Sequence, residues 1–155
     1  MLTESMEDYL EMIYRIIKDK GYIRAVDLSE ALDLQPSSIT KMIQKLSEAG
    51  FIQYEKYRNI DLTEKGRKYG EFLVWRDRTL EEFLKLLSDQ TNIEEQVEGI
   101  EHYITPETMD LISTLINYFK DNNNKAVAEL KAMNNMSEVP NRNYLDQLRA
   151  WKYSH

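Results

Sequence analysis

The chain has no cysteine. That absence excludes disulfides, thiolate metal sites and a cysteine nucleophile, so any metal must be held by oxygen and imidazole donors. Histidine is scarce as well: of two, His155 is the last residue and only His102 lies within the chain. No run approaches the roughly 18–20 consecutive apolar residues of a membrane span, and the opening "MLTESMEDYLEMIY" is acidic where a secretion signal would be basic. The expected compartment is the cytoplasm, with no membrane partner. Five glycines and three prolines in 155 residues suit a helical protein of one ordinary domain, or of two small ones sharing a core. Positive charge is in deficit too. A net charge of −7 argues against nucleic acid at first sight, because duplex affinity rests largely on Lys and Arg meeting phosphates.

The average hides a segregation. Residues 35–70 hold seven basic and four acidic side chains, a local +3, whereas residues 71–155 hold nine basic and fifteen acidic ones, a local −6. A basic segment joined to an acidic half suggests two jobs in one chain.

The apolar periodicity orders the elements. "SMEDYLEMIYRIIKDKG" predicts a first helix with Met6, Leu10, Ile13 and Ile17 as its stripe and Gly21 as its stop. "AVDLSEALDL" is a short second helix, and "QPSSITKMIQKLSEAG" a third, with Pro36 in its first turn and Gly50 closing it. "FIQYEKYRNIDLT" changes period, its β-formers flanking a polar centre, and predicts a hairpin. Helix, short helix, helix and hairpin is the order of a winged helix-turn-helix. A long helix then covers "TEKGRKYGEFLVWRDRTLEEFLKLL", with Phe72, Leu73, Trp75, Leu80, Phe83, Leu84 and Leu87 on its apolar face. "NIEEQVEGIEHYI", "TPETMDLISTLINYF" and "NKAVAELKAM" predict three more helices, the second capped by Thr105, and residues 143–152 a short last one. The fold class is mainly α: a winged helix-turn-helix with a β-hairpin wing over residues 1–70, and a helical domain over 71–155.

On the third helix Ile39, Met42, Ile43 and Leu46 define a buried side. The other side offers Ser37, Ser38, Thr40, Lys41, Gln44 and Lys45, with no acid between Gln35 and Ser47. Such a face suits a DNA major groove, because these side chains donate to base edges or phosphates. Lys56 and Arg58 at the hairpin tip are placed to reach the neighbouring backbone or minor groove. A solvated amphipathic helix would look similar; the order of elements and the local charge favour DNA.

Asp8 and Glu11 stand one turn apart on the first helix, and "VEGIEHYI" sets Glu98, Glu101 and His102 at one-turn spacing. Each group alone resembles an ordinary exposed face. Glu94, Glu98 and Glu101, however, place like charges at neighbouring helical positions, each pair costing roughly 0.2–0.5 kcal/mol. A bound divalent cation reverses that sign. Oxygen-rich ligation with one imidazole suits Mn²⁺ or Fe²⁺ better than Zn²⁺ or Cu²⁺.

Together "SMEDYLEMIY", "PSSITKMIQKL", "YEKYR", "LTEKG" and "VEGIEH" resemble the manganese transport regulator (MntR) branch of the diphtheria-toxin-repressor (DtxR) family of metal-dependent repressors, from about residue 4 to about residue 120. The resemblance implies a cytoplasmic homodimer whose C-terminal helical domain dimerises and which, with Mn²⁺ bound, represses metal-uptake genes at a palindromic duplex operator. It implies ligands at Asp8, Glu11, Glu98, Glu101 and His102, for one or two ions per chain. Iron-responsive members of the family usually carry cysteine at the position of Glu98, so the carboxylate points to Mn²⁺ ahead of Fe²⁺. The chain departs from the pattern at "LVWRDR", where Asp77 replaces a histidine ligand of the manganese branch and is either a sixth ligand or a surface acid paired with Arg76 or Arg78. The extension 138–155 also lies outside the pattern.

Two rivals stand on the residues alone. A small-molecule-responsive winged-helix repressor would treat the acids as mere surface and show no effect of Mn²⁺ on DNA affinity. A helical carboxylate metalloenzyme would carry its Glu-x-x-His motif in pairs, yet "EGIEH" occurs once and no nucleophile is readable, so no enzyme is expected.

Overall fold

The computed structural model describes residues 2–55, 58–87, 92–121 and 124–136. Helix α1 (Glu4–Lys20) starts at Thr3, whose hydroxyl accepts a hydrogen bond from the Met6 amide, and stops at Gly21, left-handed at φ 81°, as the sequence predicts. Its stripe turns inward with Leu10 and Ile13 fully buried. Helices α2 (Ala25–Leu32) and α3 (Pro36–Glu48) pack on each other, and Pro36 opens α3 where a missing amide hydrogen costs nothing. Gly50, at φ 76°, turns the chain into strands β1 (Ile52–Tyr54) and β2 (Ile60–Leu62). They pair antiparallel with Ile52 opposite Leu62 and Tyr54 opposite Ile60, forming the wing. Lys56, expected at the tip of that wing, lies outside the described residues.

Helix α4 (Glu64–Leu87) is the spine. Two glycines let it approach its neighbours: a Cβ on Gly66 would lie 1.8 Å from the Phe51 carbonyl oxygen, and one on Gly70 2.7 Å from Tyr14 Cβ. Its near end joins a core built with α1, α3 and the wing, through Leu73 and Val74. Its far end enters a second core, where Leu80 meets Val97 and Met109 from the helices that follow. The expected apolar face holds at Leu73 and Leu80, whereas Trp75 is 39% exposed.

Helices α5 (Ile93–Ile100), α6 (Pro106–Asp121) and α7 (Asn124–Met136) complete the C-terminal half. The helix expected to run through residue 104 ends at Ile100, and a 3-10 turn, Glu101–Tyr103, replaces its last residues. The tighter winding changes which groups face inward: Glu101 is buried and Ile100 is 39% exposed. Thr105 caps α6 by accepting from the Thr108 amide. The helix expected over 143–152 lies outside the described residues. Among the described residues no helix is long and apolar enough to cross a membrane. The architecture is mainly α, an N-terminal winged helix-turn-helix followed by an all-helical C-terminal part.

Candidate metal centre and nucleic-acid interface

Burial of Leu10 and Ile13 turns the flank of α1 that carries Glu7, Asp8 and Glu11 toward α4 and the 3-10 turn. Asp8 Oδ1 lies 3.1 Å from His102 Nε2, and Glu101 Oε1 lies 3.8 Å from the same nitrogen. These three residues offer ligand atoms within 4.8 Å of one another, the one such group among the described residues.

Glu7, which the sequence reading passed over, orients this cluster. Its Oε2 is 2.9 Å from His102 Nδ1 and accepts from Arg76 at 2.9 Å, while its Oε1 accepts from the Tyr69 hydroxyl at 2.9 Å. With Nδ1–H donated to Glu7, the neutral ring presents the Nε2 lone pair to Asp8 and Glu101, the arrangement by which a carboxylate sets a metal-ligating histidine. Arg76 lies on the buried stripe of α4, three residues after Leu73 and four before Leu80, and only 3% of it is exposed. A charge on an inward stripe must be paired. That is the signal by which the sequence could have found it.

The electrostatics suit a cation. Burial pushes the Glu101 carboxyl up to about 7 against the pull of Arg76. Burial also raises Asp8, helped by the charges of Glu98 and Glu7. Burial disfavours protonation of His102, but the Glu7 hydrogen bond and the Asp8 and Glu101 charges outweigh it and raise its pKa. Burial works against ionised Glu7 too; hydrogen bonds from His102, Arg76 and Tyr69 hold it below the usual carboxylate range. Glu101 Oε2 pairs with Arg76 Nη2 at 3.2 Å, which leaves Oε1 facing His102 Nε2. A buried carboxylate beside a second carboxylate and an imidazole lone pair is a donor set suited to a hard divalent ion. Glu7, Arg76 and His102 also line a cleft of about 1000 Å³, so the cluster has a path to solvent.

The other expected ligands stand apart from this trio. Glu98 is exposed, near enough for its charge to act on Asp8. Glu11 and Asp77 share Arg15: its Nη2 and Nε donate to Glu11 Oε1 at 2.6 and 2.8 Å, and Nη2 also donates to Asp77 Oδ2. The ion pair Asp77 makes here is with Arg15, not with the flanking Arg76 or Arg78.

On α3, Ile39, Ile43 and Leu46 are buried while Ser37, Ser38, Lys41, Gln44 and Lys45 are exposed and Thr40 is half-buried, its hydroxyl donating to the Pro36 carbonyl at 2.9 Å. Thr40, Gln44, Tyr54 and Arg58 line one hollow with Arg24, at the start of α2, so the reading helix and the wing share a concave face. Arg58 pairs with Glu55 at 2.8 Å in an exposed contact. Arg24 was not among the expected residues. The basic segment is less uniform than its sum suggests, because Lys65 donates to the Ala49 carbonyl and Arg67 to that of Leu62.

Residues 1–60 match the family described as iron dependent repressor, N-terminal DNA binding domain, and residues 63–126 match iron dependent repressor, metal binding and dimerisation domain. The chain is 51% identical to the HTH-type transcriptional regulator MntR of Oceanobacillus iheyensis over 132 residues, covering 84% of this chain and 89% of the relative. It is 46% identical to that of Bacillus velezensis, covering 90% of this chain and 99% of the relative. Among solved structures, that of the manganese regulator SloR aligns with TM-score 0.62 and 25% identity over 74% of this chain and 54% of its own length. The T. acidophilum IdeR structure aligns with TM-score 0.62 and 25% identity over 76% of this chain and 55% of its own. This chain thus spans little more than half of those two longer chains.

Proposed function

The chain belongs to the MntR branch of the diphtheria-toxin-repressor (iron dependent repressor) family, and from that premise we propose how it works: as a manganese-dependent DNA-binding repressor whose metal centre joins its DNA-reading half to its dimerising half. It is a transcriptional regulator and not an enzyme, it takes a divalent metal, and its partners are DNA and a second copy of itself. We take residues 1–70 as the DNA-reading half and 71–155 as the metal-binding and dimerising half.

The observation that carries the mechanism is that Asp8, on the helix that packs against the reading helix, meets His102 and Glu101 on the turn that leads into α6. The ion would supply two positive charges where carboxylates from the two halves converge. Asp8, Glu101 and His102 would hold it, with Glu98, whose charge acts on Asp8, as a further donor. Glu11 and Asp77 join the set only where Arg15 has left them. A donor set of oxygens with one imidazole, and no sulfur, favours Mn²⁺ over Fe²⁺. Without the ion Asp8 and Glu101 would repel and the tie between α1 and the 3-10 turn would loosen, while Arg15 would still hold α1 to α4 through Glu11 and Asp77. With it, α1 is tied to the dimerising half, and the two α3 helices of a homodimer are held at one spacing, matched to the half-sites of a palindromic operator about 34–36 Å apart. Lys41, Lys45, Gln44, Ser37, Ser38, Thr40 and Arg58 then contact the duplex, with Lys56 and Arg24 beside them. Coupling of about 1–3 kcal/mol makes the change in DNA affinity roughly 5- to 150-fold. The protein acts in the cytoplasm, on genes of manganese uptake.

The test is a DNA-binding titration on the gene's own upstream region, with and without Mn²⁺. His102→Ala should remain a folded dimer whose DNA affinity no longer responds; an unchanged Mn²⁺ response would remove His102 from the site.

A further inference from the structure

We propose that the Arg15 guanidinium is a built-in cation that occupies Glu11 and Asp77, so that each chain takes a single metal ion, at Asp8, Glu101 and His102. The inference rests on the metal-centre reading above and asks which of the six expected donors are available to a metal. Arg15 donates twice to Glu11 Oε1, at 2.6 and 2.8 Å, and once to Asp77 Oδ2. One positive group therefore links a carboxylate of α1 to a carboxylate of α4. The two carboxylates are sheltered, with side chains 13% and 23% exposed, while the Arg15 side chain is 37% exposed.

Neither acid contributes to the trio whose ligand atoms lie within 4.8 Å of one another. A second ion held by Glu11 and Asp77 would have to displace Arg15 from them. A guanidinium keeps its charge at any pH a cell reaches, and its planar fork suits a carboxylate. Burial disfavours the charged guanidinium, yet the hydrogen bond and charge of Glu11 and the charge of Asp77 stabilise it further. The same arrangement explains why the site tolerates an aspartate at position 77. A short anionic side chain there reaches Arg15, so α1 and α4 are cross-linked without any metal. α1 already touches the 3-10 turn through Glu7 and His102, and an ion at Asp8, Glu101 and His102 would strengthen that link. The switch is then a single metal-dependent tie beside a permanent one.

Full-length protein titrated with MnCl₂ alone, with bound Mn²⁺ counted by calorimetry and by electron paramagnetic resonance, tests this without reference to DNA. The native chain should bind one ion per chain. Asp77→Asn should still bind one, with affinity within about twofold of the parent. Arg15→Gln, which keeps the length and loses the charge, should bind two, and Arg15→Lys, which keeps the charge, should return to one. Two ions on the native chain, a count of one in Arg15→Gln, or a several-fold loss of affinity in Asp77→Asn each overturns the inference while leaving the trio intact. A native chain that binds no Mn²⁺ overturns the metal-centre reading itself.

Discussion

The two halves of the molecule are built to different degrees of completeness. Fifteen buried residues, drawn from α1, α3, α4, the wing and the segments between, form the first core; among the described residues only Leu80, Val97 and Met109 form the second. Among the described residues the first core is much the larger, and the second buries little apolar surface. What the second half leaves exposed fits that difference. Leu111, Leu115 and Tyr118 follow one another along one face of α6, at 70%, 42% and 60% exposure. In a homodimer such a row is the natural place for the second copy. A rigid reading head joined to a half completed by a partner and a metal is a sensible division for a switch, because regulation then acts on the softer part.

The comparison breaks most readily in the cores. Leu10→Ala should cost about 2–5 kcal/mol in either context, and Leu80→Ala a similar amount. The melting temperature of the first half should be the same at every protein concentration, whereas that of the second should rise with concentration as dimer forms. Thermal unfolding over a hundredfold dilution series reads the difference; equal concentration dependence would mean that the halves are one cooperative unit.

Next in size is the contact between the halves. Glu7→Gln leaves Asp8, Glu101 and His102 in place but weakens the group that sets the His102 ring, and should lower Mn²⁺ affinity about 10- to 100-fold. Metal-free affinity for nonspecific DNA should not change. Calorimetry and a DNA titration at constant salt check the two parts separately.

A smaller effect comes from pH. The Glu101 carboxyl, at about 7 in the folded chain and 4.5 as its ordinary value, binds more protons folded than unfolded between those values. Its contribution to metal-free stability therefore falls as pH rises through that window, and is fully lost above about 7. Metal needs the ionised carboxylate and a neutral His102, so Mn²⁺ affinity should rise over the same window. The rise in melting temperature caused by Mn²⁺ should be several-fold larger near pH 7.5 than near pH 5.5. A shift independent of pH would show that Glu101 does not ligate. The smallest effect belongs to the reading face: Lys41→Ala should flatten the salt dependence of DNA affinity by about one unit and weaken all sequences alike.

Local order was legible because it is local. Gly21, Pro36 and Thr105 stop or start helices through their own backbone chemistry, and the acid-free side of α3 follows from the period of Ile39, Ile43 and Leu46. The turn at Glu101–Tyr103 was not, because the period alone cannot tell the end of an α-helix from a 3-10 turn. Candidate ligands could be named from spacing and resemblance, but their grouping could not.

The amino-acid sequence by itself determined the winged helix-turn-helix, the helical second half and a metal chemistry restricted to oxygen and imidazole, because periodicity, capping and composition act over a few residues. Only the tertiary structure decided which acids meet. Glu7 reaches His102 across 95 positions, Arg76 reaches Glu7 across 69, and Arg15 reaches Asp77 across 62. Those meetings depend on how closely Gly66 and Gly70 let α4 approach the wing and α1, a distance set by packing in three dimensions and by no pattern along the chain.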